Sequence, residues 1–506
     1  MIRVNPKKMF VRDGDTDNFT PLIVLIGGEV KAIQDWLDAH PEATTTILDG
    51  SITMDKFHDI LKLYTVKDYV TPEMYGAVGD GVADDTAAIQ KMFDIAEANC
   101  YKFIGRYKTA SIQISGRNNV KIIGDGEILG LNAVFRFSSC DDLLIANMHG
   151  TRFSIEVVES VNTQIVNNTL TGKESIYDGI KLLNCTNYTI RGNVVSGFGV
   201  DGIKVSNVDD DNVTTKSQDG IIADNFIFGN TDGGIDLYAG GKNVVVSGNF
   251  IANNRAGMTL KYTGTNATNE GYSKDILITG NFIHDCDVLI SIDMSNVFIS
   301  GNIFKNPVNH GILIGYIEAE YTYDDIMIDG NSFVHENADN KVSAVTAFKT
   351  KSISFSNNNV RGYYCGITTS ATDNKIASND FKNVATPIQF NPDYNYKCGM
   401  TVMGCAFFGV TDKVFNFIGV TNFEKVILAH NVWDGYSGIV YDTNKGYALY
   451  NQTGNSWNVT TGETADRPKV GQYSVPTQVY YDITLGKPIW RNHENNAWID
   501  ATGATV

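Results

Sequence analysis

Basic charge is scarce in this 506-residue chain, and long apolar runs are absent. Lys and Arg number 40 against 57 Asp and Glu, which gives a formal net charge of -17 and a pI of about 4.9. Such a chain lacks the broad basic surface that nucleic-acid binding requires. The apolar run at residues 22–26 is too short to span a bilayer, and residues 1–8 are not followed by a signal-peptide core. The sequence therefore predicts no nucleic-acid partner, no membrane insertion, and synthesis in a bacterial cytoplasm without a signal peptide.

Cysteine is also sparse and follows no pattern. The seven cysteines are odd in number, scattered, and without the spacing of metal ligands. We interpret them as reduced core residues. The sequence thus predicts neither a structural metal nor a cofactor.

A strand repeat dominates the middle of the chain. The pattern apolar-x-apolar-x-(Gly/Asn)-Asn recurs at intervals of mostly 21 to 32 residues. Its period-two alternation predicts strands, and its regular return predicts coils stacked as an all-β, right-handed parallel β-helix. The asparagines, which tolerate left-handed turns, are expected to form a hydrogen-bonded ladder. Their positions are Asn193, Asn225, Asn249, Asn281, Asn302, Asn331, Asn358, Asn379 and Asn431, with an earlier copy at Asn147 and with Cys405 in an asparagine's place.

Each coil carries a second strand, often introduced by Gly-Ile. In register, these strands predict one outward row of Lys181, Lys204, Asp236 and Thr259. Long connections follow this strand at 207–219, 263–274 and 317–324, and insertions gathered on one side of a solenoid are typical of a binding face. Residues suited to contact a polymer occupy them: Asp209, Asp210, Asp211, Glu270, Tyr272, Glu318, Glu320, Tyr321 and Tyr323.

A helix is predicted ahead of the repeat. In "GAVGDGVADDTAAIQ" (76–90), Asp84 or Asp85 can cap a helix of about 84–99 whose apolar face covers the open end of the stack. This stretch resembles the cap motif of the pectate-lyase-like superfamily of β-helices, which includes tailspikes and polygalacturonases. The resemblance implies the fold and leaves the reaction open.

The two ends of the chain resemble parts of phage and prophage tail proteins from Gram-positive gut bacteria. Residues 33–57 are similar to their leaders, and 464–503 to a small terminal β-module with Trp490 and Trp498 as apolar anchors. We therefore expect a virion-attachment segment at 1–65, the β-helix at 66–460 and a β-module at 461–506. The resemblance further implies a homotrimer in a virion tail, with other tail or baseplate proteins bound through the N-terminal segment.

The stretch "NTDGGIDLY" (230–238) is the strongest candidate for chemistry. A polygalacturonase-like site would continue with an Asp pair, Gly-His-Gly and Arg-x-Lys, but "NNRAGMTLK" (253–261) stands where the pair belongs. Only Asp232 and, by position, His310 match that pattern. Asp201, Asp232 and Asp236 are the candidate catalytic acids, because repulsion between stacked carboxylates raises the pKa of one while nearby cations keep another ionised. The candidate substrate-binding residues are Lys204, Tyr238, Arg255, Lys261, His310 and Glu318.

Several functions remain open on these residues. Paired carboxylates favour a hydrolase that binds and cuts a bacterial surface polysaccharide. A lyase would use Arg255 or Lys261 as its base, with Asp209–Asp211 as a candidate calcium nest. A non-catalytic glycan-binding adhesin needs only the aromatic and polar loops. Asp178, Asp201 and Asp232 are equally compatible with a turn role, since Asp readily precedes Gly.

Overall fold

The structure is a computed structural model of the full chain. It describes residues 10–12, 19–21 and 69–506 apart from the following gaps: 97, 176, 208–216, 239–240, 262–272, 316–322, 338–340, 349, 391–397, 418–422, 434–455, 458–459, 463–478, 483 and 492–496. Contacts divide the chain into Met1–Asp68 and Tyr69–Val506. In the first unit, strands Phe10–Arg12 and Phe19–Pro21 pair antiparallel. The leader segment at 33–57 lies outside the described residues.

The second unit is built of stacked coils whose strands pair in parallel with those of the next coil, which confirms the predicted solenoid. Three sheets run along it. Sheet 1 has 14 strands, and those from Val161–Val166 onwards each precede a ladder position. With strands about 4.8 Å apart, it extends for roughly 60 Å. Its strands are Cys100–Phe103, Lys121–Gly124, Leu144–Ala146, Val161–Val166, Thr186–Arg191, Gln218–Ala223, Gly241–Ser247, Ser273–Thr279, Val297–Ser300, Ile326–Asp329, Ser352–Ser356, Asp373–Ala377, Cys398–Met403 and Phe423–Ala429.

Sheet 2 contains the short strands that follow the ladder, and sheet 3 contains the Gly-Ile strands. Two long strands, Glu127–Ser138 and His149–Val158, pass through both sheets with a register shift between them. The other strands of sheet 2 are Asp80–Asp84, Arg106–Thr109, Thr169–Ser175, Val194–Phe198, Phe226–Phe228, Phe250–Ala252, Phe282–His284, Ile303–Lys305, Ser332–Val334, Asn359–Arg361, Asp380–Lys382, Ala406–Phe408, Val432–Trp433 and Ser456–Trp457. Those of sheet 3 are Ile112–Ser115, Ile180–Leu183, Ile203–Ser206, Gly233–Tyr238, Ala256–Lys261, Val288–Asp293, His310–Ile314, Ser343–Ala347, Cys365–Thr369, Thr386–Phe390 and Phe415–Phe417.

A ladder of buried asparagines joins the coils at the corner between sheets 1 and 2. The side-chain oxygen of Asn249 accepts hydrogen bonds from the backbone and side-chain nitrogens of Asn225, at 3.0 and 2.9 Å, and Asn249 donates in the same way to Asn281. Cys405 takes one ladder position, as predicted, and donates its backbone N–H to Asn431. Satisfying these buried polar groups fixes the rotation of each coil on the next.

Two details of the ladder prediction were wrong. The residue in the left-handed region is the one before the ladder asparagine, for example Gly248 with φ 65°. Asn147 is likewise such a turn residue, with φ 56°, and Met148 takes the buried position after it. The left-handed turn and the buried amide are thus separate requirements. In "GN", the glycine adopts the left-handed conformation and the asparagine supplies the amide.

The core inside the coils is apolar and is formed by inward rows of side chains from the sheets. In sheet 3, Ile180, Ile203, Ile235 and Met258 are all buried, as the alternation predicted. The core also holds five free, buried cysteines, in agreement with their interpretation as reduced core residues: Cys140, Cys185, Cys286, Cys365 and Cys405.

An α-helix at Thr86–Ile95 caps the stack, within the range predicted, and a 3-10 helix at Pro72–Tyr75 precedes it. Ile89, Met92 and Phe93 form its buried face. The backbone N–H of Thr86 donates to Asp84 Oδ1 at 3.0 Å, whereas Asp85 accepts from Val78. None of the helices in the described residues is long and apolar enough to cross a membrane.

A separate four-stranded sheet lies at the C-terminal end, with strands Thr460–Gly462, Val479–Asp482, Lys487–Arg491 and Trp498–Ile499. Trp498 is buried, as predicted. The second anchor is Ile489 and not Trp490, because the alternation of that strand turns Ile489 inward and leaves Trp490 half-buried.

We expect Asn249→Ala to destabilise the coils. The substitution leaves the backbone N–H of Asn225 without its acceptor and removes the side-chain N–H that Asn249 donates to the carbonyl of Ile222. A buried unsatisfied group costs about 1–3 kcal/mol. Thermal unfolding followed by circular dichroism measures the loss. Ser247→Ala, a half-buried position at the end of the strand that precedes Asn249, is the control and should change the midpoint little. Equal midpoints for the two variants would contradict a stabilising role for the ladder.

Candidate functional site

Sheet 3 carries a continuous outward row of polar side chains. Parallel pairing aligns Lys181 with Lys204, Lys204 with Asp236, and Asp236 with Thr259, which confirms the predicted row. The row also extends towards the N-terminus through three residues: Gln113, Arg136 and Glu156. Six coils in succession therefore present a charged or amide side chain at the same place.

Asp201, Lys204 and Asp236 form a compact ionic cluster in this row, hereafter the acid cluster. Lys204 Nζ lies 2.9 Å from Asp201 Oδ2 and 3.0 Å from Asp236 Oδ2, so these two carboxylate oxygens are within about 6 Å of each other. The side chains of Asp201 and Asp236 are only 3% and 7% exposed. A single ammonium group thus bridges two buried carboxylates on consecutive coils.

The electrostatics of the cluster separate its groups. Burial, together with the charge of Asp201, raises the pKa of Asp236 to about 6, against the opposing effect of Lys204. Burial acts to lower the pKa of Lys204, but the charges of Asp236 and Asp201 outweigh it and raise that pKa. Asp236 Oδ1 is buried and has no hydrogen-bond partner among the residues that the structure describes. Asp236 therefore has the properties of a carboxyl group that can hold a proton near neutral pH.

A glycine makes room for the cluster. The position that follows Asp201 in the next coil is occupied by Gly233, whose N–H donates to Asp201 Oδ1 at 2.8 Å. A Cβ at Gly233 would lie 2.6 Å from that oxygen, so any larger residue would displace the carboxylate. Gly233, the first glycine of "NTDGG", therefore leaves space for Asp201 of the preceding coil and donates a hydrogen bond to it.

Asp232 lies beside the cluster and has a different partner. Its carboxylate accepts a hydrogen bond from Arg255 Nε at 2.9 Å, and its side chain is 42% exposed. Asn230 of the same motif is buried, where its side-chain oxygen accepts the N–H of Phe198. Tyr238 is exposed, with Lys204 Nζ 5.2 Å from its ring centroid.

The remaining predicted residues lie farther along the solenoid or outside the described part. Lys261 pairs in register with Tyr238 on one side and Asp293 on the other. His310 stands three coils beyond Gly233, where its Nδ1 is 3.1 Å from Thr346 Oγ1 and burial lowers its pKa. Glu318, Asp209–Asp211, Glu270, Tyr272, Glu320 and Tyr321 lie outside the described residues. Tyr323 is buried in the core, so its predicted role as a polymer contact was wrong.

Two residues near the cluster, Arg136 and Glu156, escaped the sequence analysis, and Asp178 entered it only as a turn residue. Glu156 is buried, and its carboxylate binds Arg136 Nε at 2.5 Å and Lys181 Nζ at 3.3 Å. Asp178 accepts the N–H of Asp201, and burial raises its pKa. The signal for Glu156 was that it is the only acid in the alternating run "FSIEVV". That run lacks the Gly-Ile start of the later strands.

Two family models match the chain. One is described as a right-handed beta helix region and matches residues 110–271; the other is described as a periplasmic copper-binding protein (NosD) and matches 216–409. Together with the parallel sheets, the first decides the fold. The chain has the fold of the pectate-lyase-like right-handed β-helices. Comparison with curated protein sequences gives no match.

Solved structures with the same β-helix include two phage proteins. The N-terminal fragment of gene product 12 of bacteriophage Phi29 is 15% identical with a TM-score of 0.55, and the match covers 75% of this chain and 74% of that one. The tailspike of E. coli bacteriophage HK620, solved with a pentasaccharide, is 13% identical with a TM-score of 0.51, covering 78% and 79%. An exopolygalacturonase from Thermotoga maritima is 11% identical with a TM-score of 0.45, covering 73% and 92%.

The second family is described as copper-binding, but the described part of this β-helix contains no set of side chains that could hold copper. Among those residues, no group of three or more His, Cys, Asp or Glu side chains is placed to hold a metal ion. The buried cysteines are separate core residues. No step of the site's chemistry is therefore assigned to copper.

The raised pKa of Asp236 predicts a specific pH dependence. Between about pH 4 and pH 6, Asp236 ionises in the unfolded chain but stays protonated in the folded one, so its contribution to stability is lost as the pH rises. Asp236→Asn lacks this effect. We expect the free energy of unfolding of the variant, relative to that of the wild type, to increase between pH 4 and pH 7 by up to about 3 kcal/mol. Denaturant midpoints of both proteins at each pH measure the change, and a pH-independent difference would contradict it.

Proposed function

We propose that this β-helix binds a bacterial surface polysaccharide on sheet 3 and hydrolyses it with the acid cluster. The single observation that carries the proposal is the pair of buried carboxylates, Asp201 and Asp236, held within about 6 Å on either side of Lys204. Hydrolysis of a glycosidic bond requires one carboxylic acid to protonate the leaving oxygen and one carboxylate to attack the sugar or activate water. The pair supplies both groups.

The two carboxyl groups take different roles in this proposal. Asp236, whose pKa is raised to about 6, is the general acid. Asp201 is the carboxylate partner, fixed by the N–H of Gly233 and by Lys204. A separation of about 5–5.5 Å is typical of retaining glycosidases, and about 6.5–9.5 Å of inverting ones. The oxygens facing Lys204 favour the retaining arrangement.

Asp232 and Arg255 form an exposed pair immediately before the neighbouring strands Gly233–Tyr238 and Ala256–Lys261. We propose that they contact the polysaccharide beside the cleavage point. Tyr238 offers a ring face on which a sugar can stack. The exposed residues around the cluster therefore bind, and the buried ones react.

Glycan binding without cleavage is the second candidate function. It is favoured by the accessibility of the cluster, because Tyr238 and Lys204 reach solvent whereas Asp201 and Asp236 hardly do. An adhesin would use the first two residues and keep the carboxylates only as an ionic support. A lyase is a weaker fit, since Arg255 is engaged by Asp232 and is not positioned as a free base.

Incubation with purified polysaccharides separates these functions. We expect capsule and cell-wall polysaccharides of Gram-positive gut bacteria to include one from which the protein releases new reducing ends without unsaturated uronate absorbance. Asp201→Asn and Asp236→Asn should each lower the rate by about 10²–10⁴-fold, because each removes a proton-transfer or nucleophilic group. Reducing-end assays measure the rates.

The control for this experiment is Asp329→Asn, a half-buried carboxylate on sheet 1 that should cut at the wild-type rate. Binding without new chain ends would establish the adhesin and end the hydrolase proposal. Unsaturated products would establish a lyase.

We further propose that the protein is a tailspike-like component of a virion tail and that it forms a homotrimer, with other tail or baseplate proteins bound through residues 1–65. Two aligned apolar rows flank the asparagine corner and support self-association. The row of sheet 1 is Ile221, Val245, Leu277, Phe298 and Met327, and that of sheet 2 is Phe226, Phe250, Phe282 and Ile303.

These rows suit a second copy of the chain better than another partner. Residues 276–283 and 297–304, in consecutive coils, contain no charged side chain, although the chain carries a net charge of -17. Copies with that charge repel one another, so an uncharged surface is where they can approach. The rows also repeat at the strand spacing of about 4.8 Å, which an identical solenoid matches along its whole length.

Leu277→Asp should weaken the assembly, because it puts a charge into the centre of the uncharged surface. Light scattering after size exclusion should give three times 55.5 kDa for the wild type and a large shift towards 55.5 kDa for the variant. Met403→Asp, an exposed position of sheet 1 outside the two rows, is the control and should keep the wild-type mass. A monomeric wild type would overturn the assembly proposal.

A further inference from the structure

A pocket lies on sheet 3 immediately N-terminal to the acid cluster. Its volume is about 290 Å³, which is at the small end of the range for ligand sites. Lys181, which lines it, pairs in register with Lys204 of the cluster, so the pocket and the cluster belong to adjacent coils of one face. Its polar lining includes Gln113, Arg136, Ser154, Glu156, Asp178 and Lys181.

Glu156 organises the polar side of this pocket. It is buried, and its two oxygens bind Arg136 on the preceding coil and Lys181 on the following one. Each of these cations has more N–H donors than the one it gives to Glu156. Glu156 thereby holds Arg136 and Lys181 in place, and their remaining N–H donors can bind hydroxyl groups of a ligand.

Ser154 gives independent support for a ligand. Its side chain lines the pocket and is 2% exposed, yet its hydroxyl has no hydrogen-bond partner among the described residues. A buried hydroxyl without a partner costs free energy, so a group that supplies the missing hydrogen bond is expected here. A hydroxyl group of a ligand bound in the pocket would supply it.

The remaining lining indicates the chemical class of the ligand. Val134 provides apolar contact, and Tyr177, which is 41% exposed, provides an aromatic ring. The charged groups balance, since two cations, Arg136 and Lys181, face two acids, Glu156 and Asp178. Hydrogen-bonding groups combined with apolar and aromatic surface suit a pyranose ring, and a balanced charge favours an uncharged sugar over a uronate.

We propose that this pocket is a subsite that binds one uncharged pyranose residue of the polysaccharide, next to the acid cluster. The inference rests on the proposed function, because it places the bound chain along the same outward row. It adds a direction: the polysaccharide extends from Asp236 towards the N-terminal coils. It also adds a substrate class, since at least one residue of the repeating unit must be neutral.

The test uses single sugars, so that its result does not depend on cleavage. Saturation-transfer NMR on the full chain is run with methyl glycosides of glucose, galactose, mannose and N-acetylglucosamine, and with galacturonate and glucuronate. We expect transfer to at least one neutral glycoside in the wild type and in the sheet 1 control Asp329→Asn, and its loss in Ser154→Leu, which fills the pocket. No transfer to any neutral glycoside, or a preference for the uronates, would overturn the subsite.

Because Ser154→Leu overpacks a buried position, Gln113→Ala at the exposed edge of the pocket gives a second measurement. Loss of one direct hydrogen bond should weaken glycoside and polysaccharide binding by about fivefold to tenfold. Gln389→Ala is the matched control, because it is the same residue type in the same outward row, six coils beyond Asp236. Equal binding by Gln113→Ala and the wild type would overturn the role of this edge.

The two proposals fail in distinguishable ways. If the protein cuts a polysaccharide and the pocket variants bind and cut like the wild type, the subsite is wrong and the hydrolase proposal stands. If neutral glycosides bind in the pocket but no polysaccharide is cut, the hydrolase proposal fails and the subsite stands as part of an adhesin.

Discussion

The stacking of one coil on the next is the constraint on which the rest of this molecule depends. Each coil satisfies its backbone groups with those of its neighbours, and a buried asparagine amide at one corner fixes how far each coil is rotated. Residues at equivalent places then stand one strand spacing apart along the whole solenoid. Inward rows become a continuous core, and outward rows become surfaces whose chemistry is set one coil at a time.

The acid cluster is a consequence of this register, and it is maintained at a cost. Two carboxylates on neighbouring coils are buried around one lysine, and Asp236 keeps an oxygen without a partner among the described residues. Buried charges of this kind seldom improve stability over apolar residues of the same size. A group that costs stability and sits on a face with a pocket is better explained by chemistry than by architecture.

The sequence allowed the fold to be predicted because its repeat combines a strand period with Gly and Asn at fixed places. The row from Lys181 to Thr259 also followed from register alone. Contacts that depend on more than the alternation of inward and outward residues could not be predicted from the sequence. The approach of Asp201 to Lys204 occurs at the irregular start of a strand, and Gly233, not Asp232, takes the place above Asp201. Glu156 was missed because its strand is long, bends between two sheets, and lacks the Gly-Ile start.

The register of the coils also sets a distance between the pocket and the acids. Glu156 and Asp236 are joined through Lys181 and Lys204, one residue per coil, so they are separated by three strand spacings, or roughly 14 Å. That separation can change only in steps of one whole coil. Under the proposed function, a point substitution can weaken the binding of a sugar in the pocket, but only the gain or loss of an entire coil changes the distance from that sugar to the cleavage point.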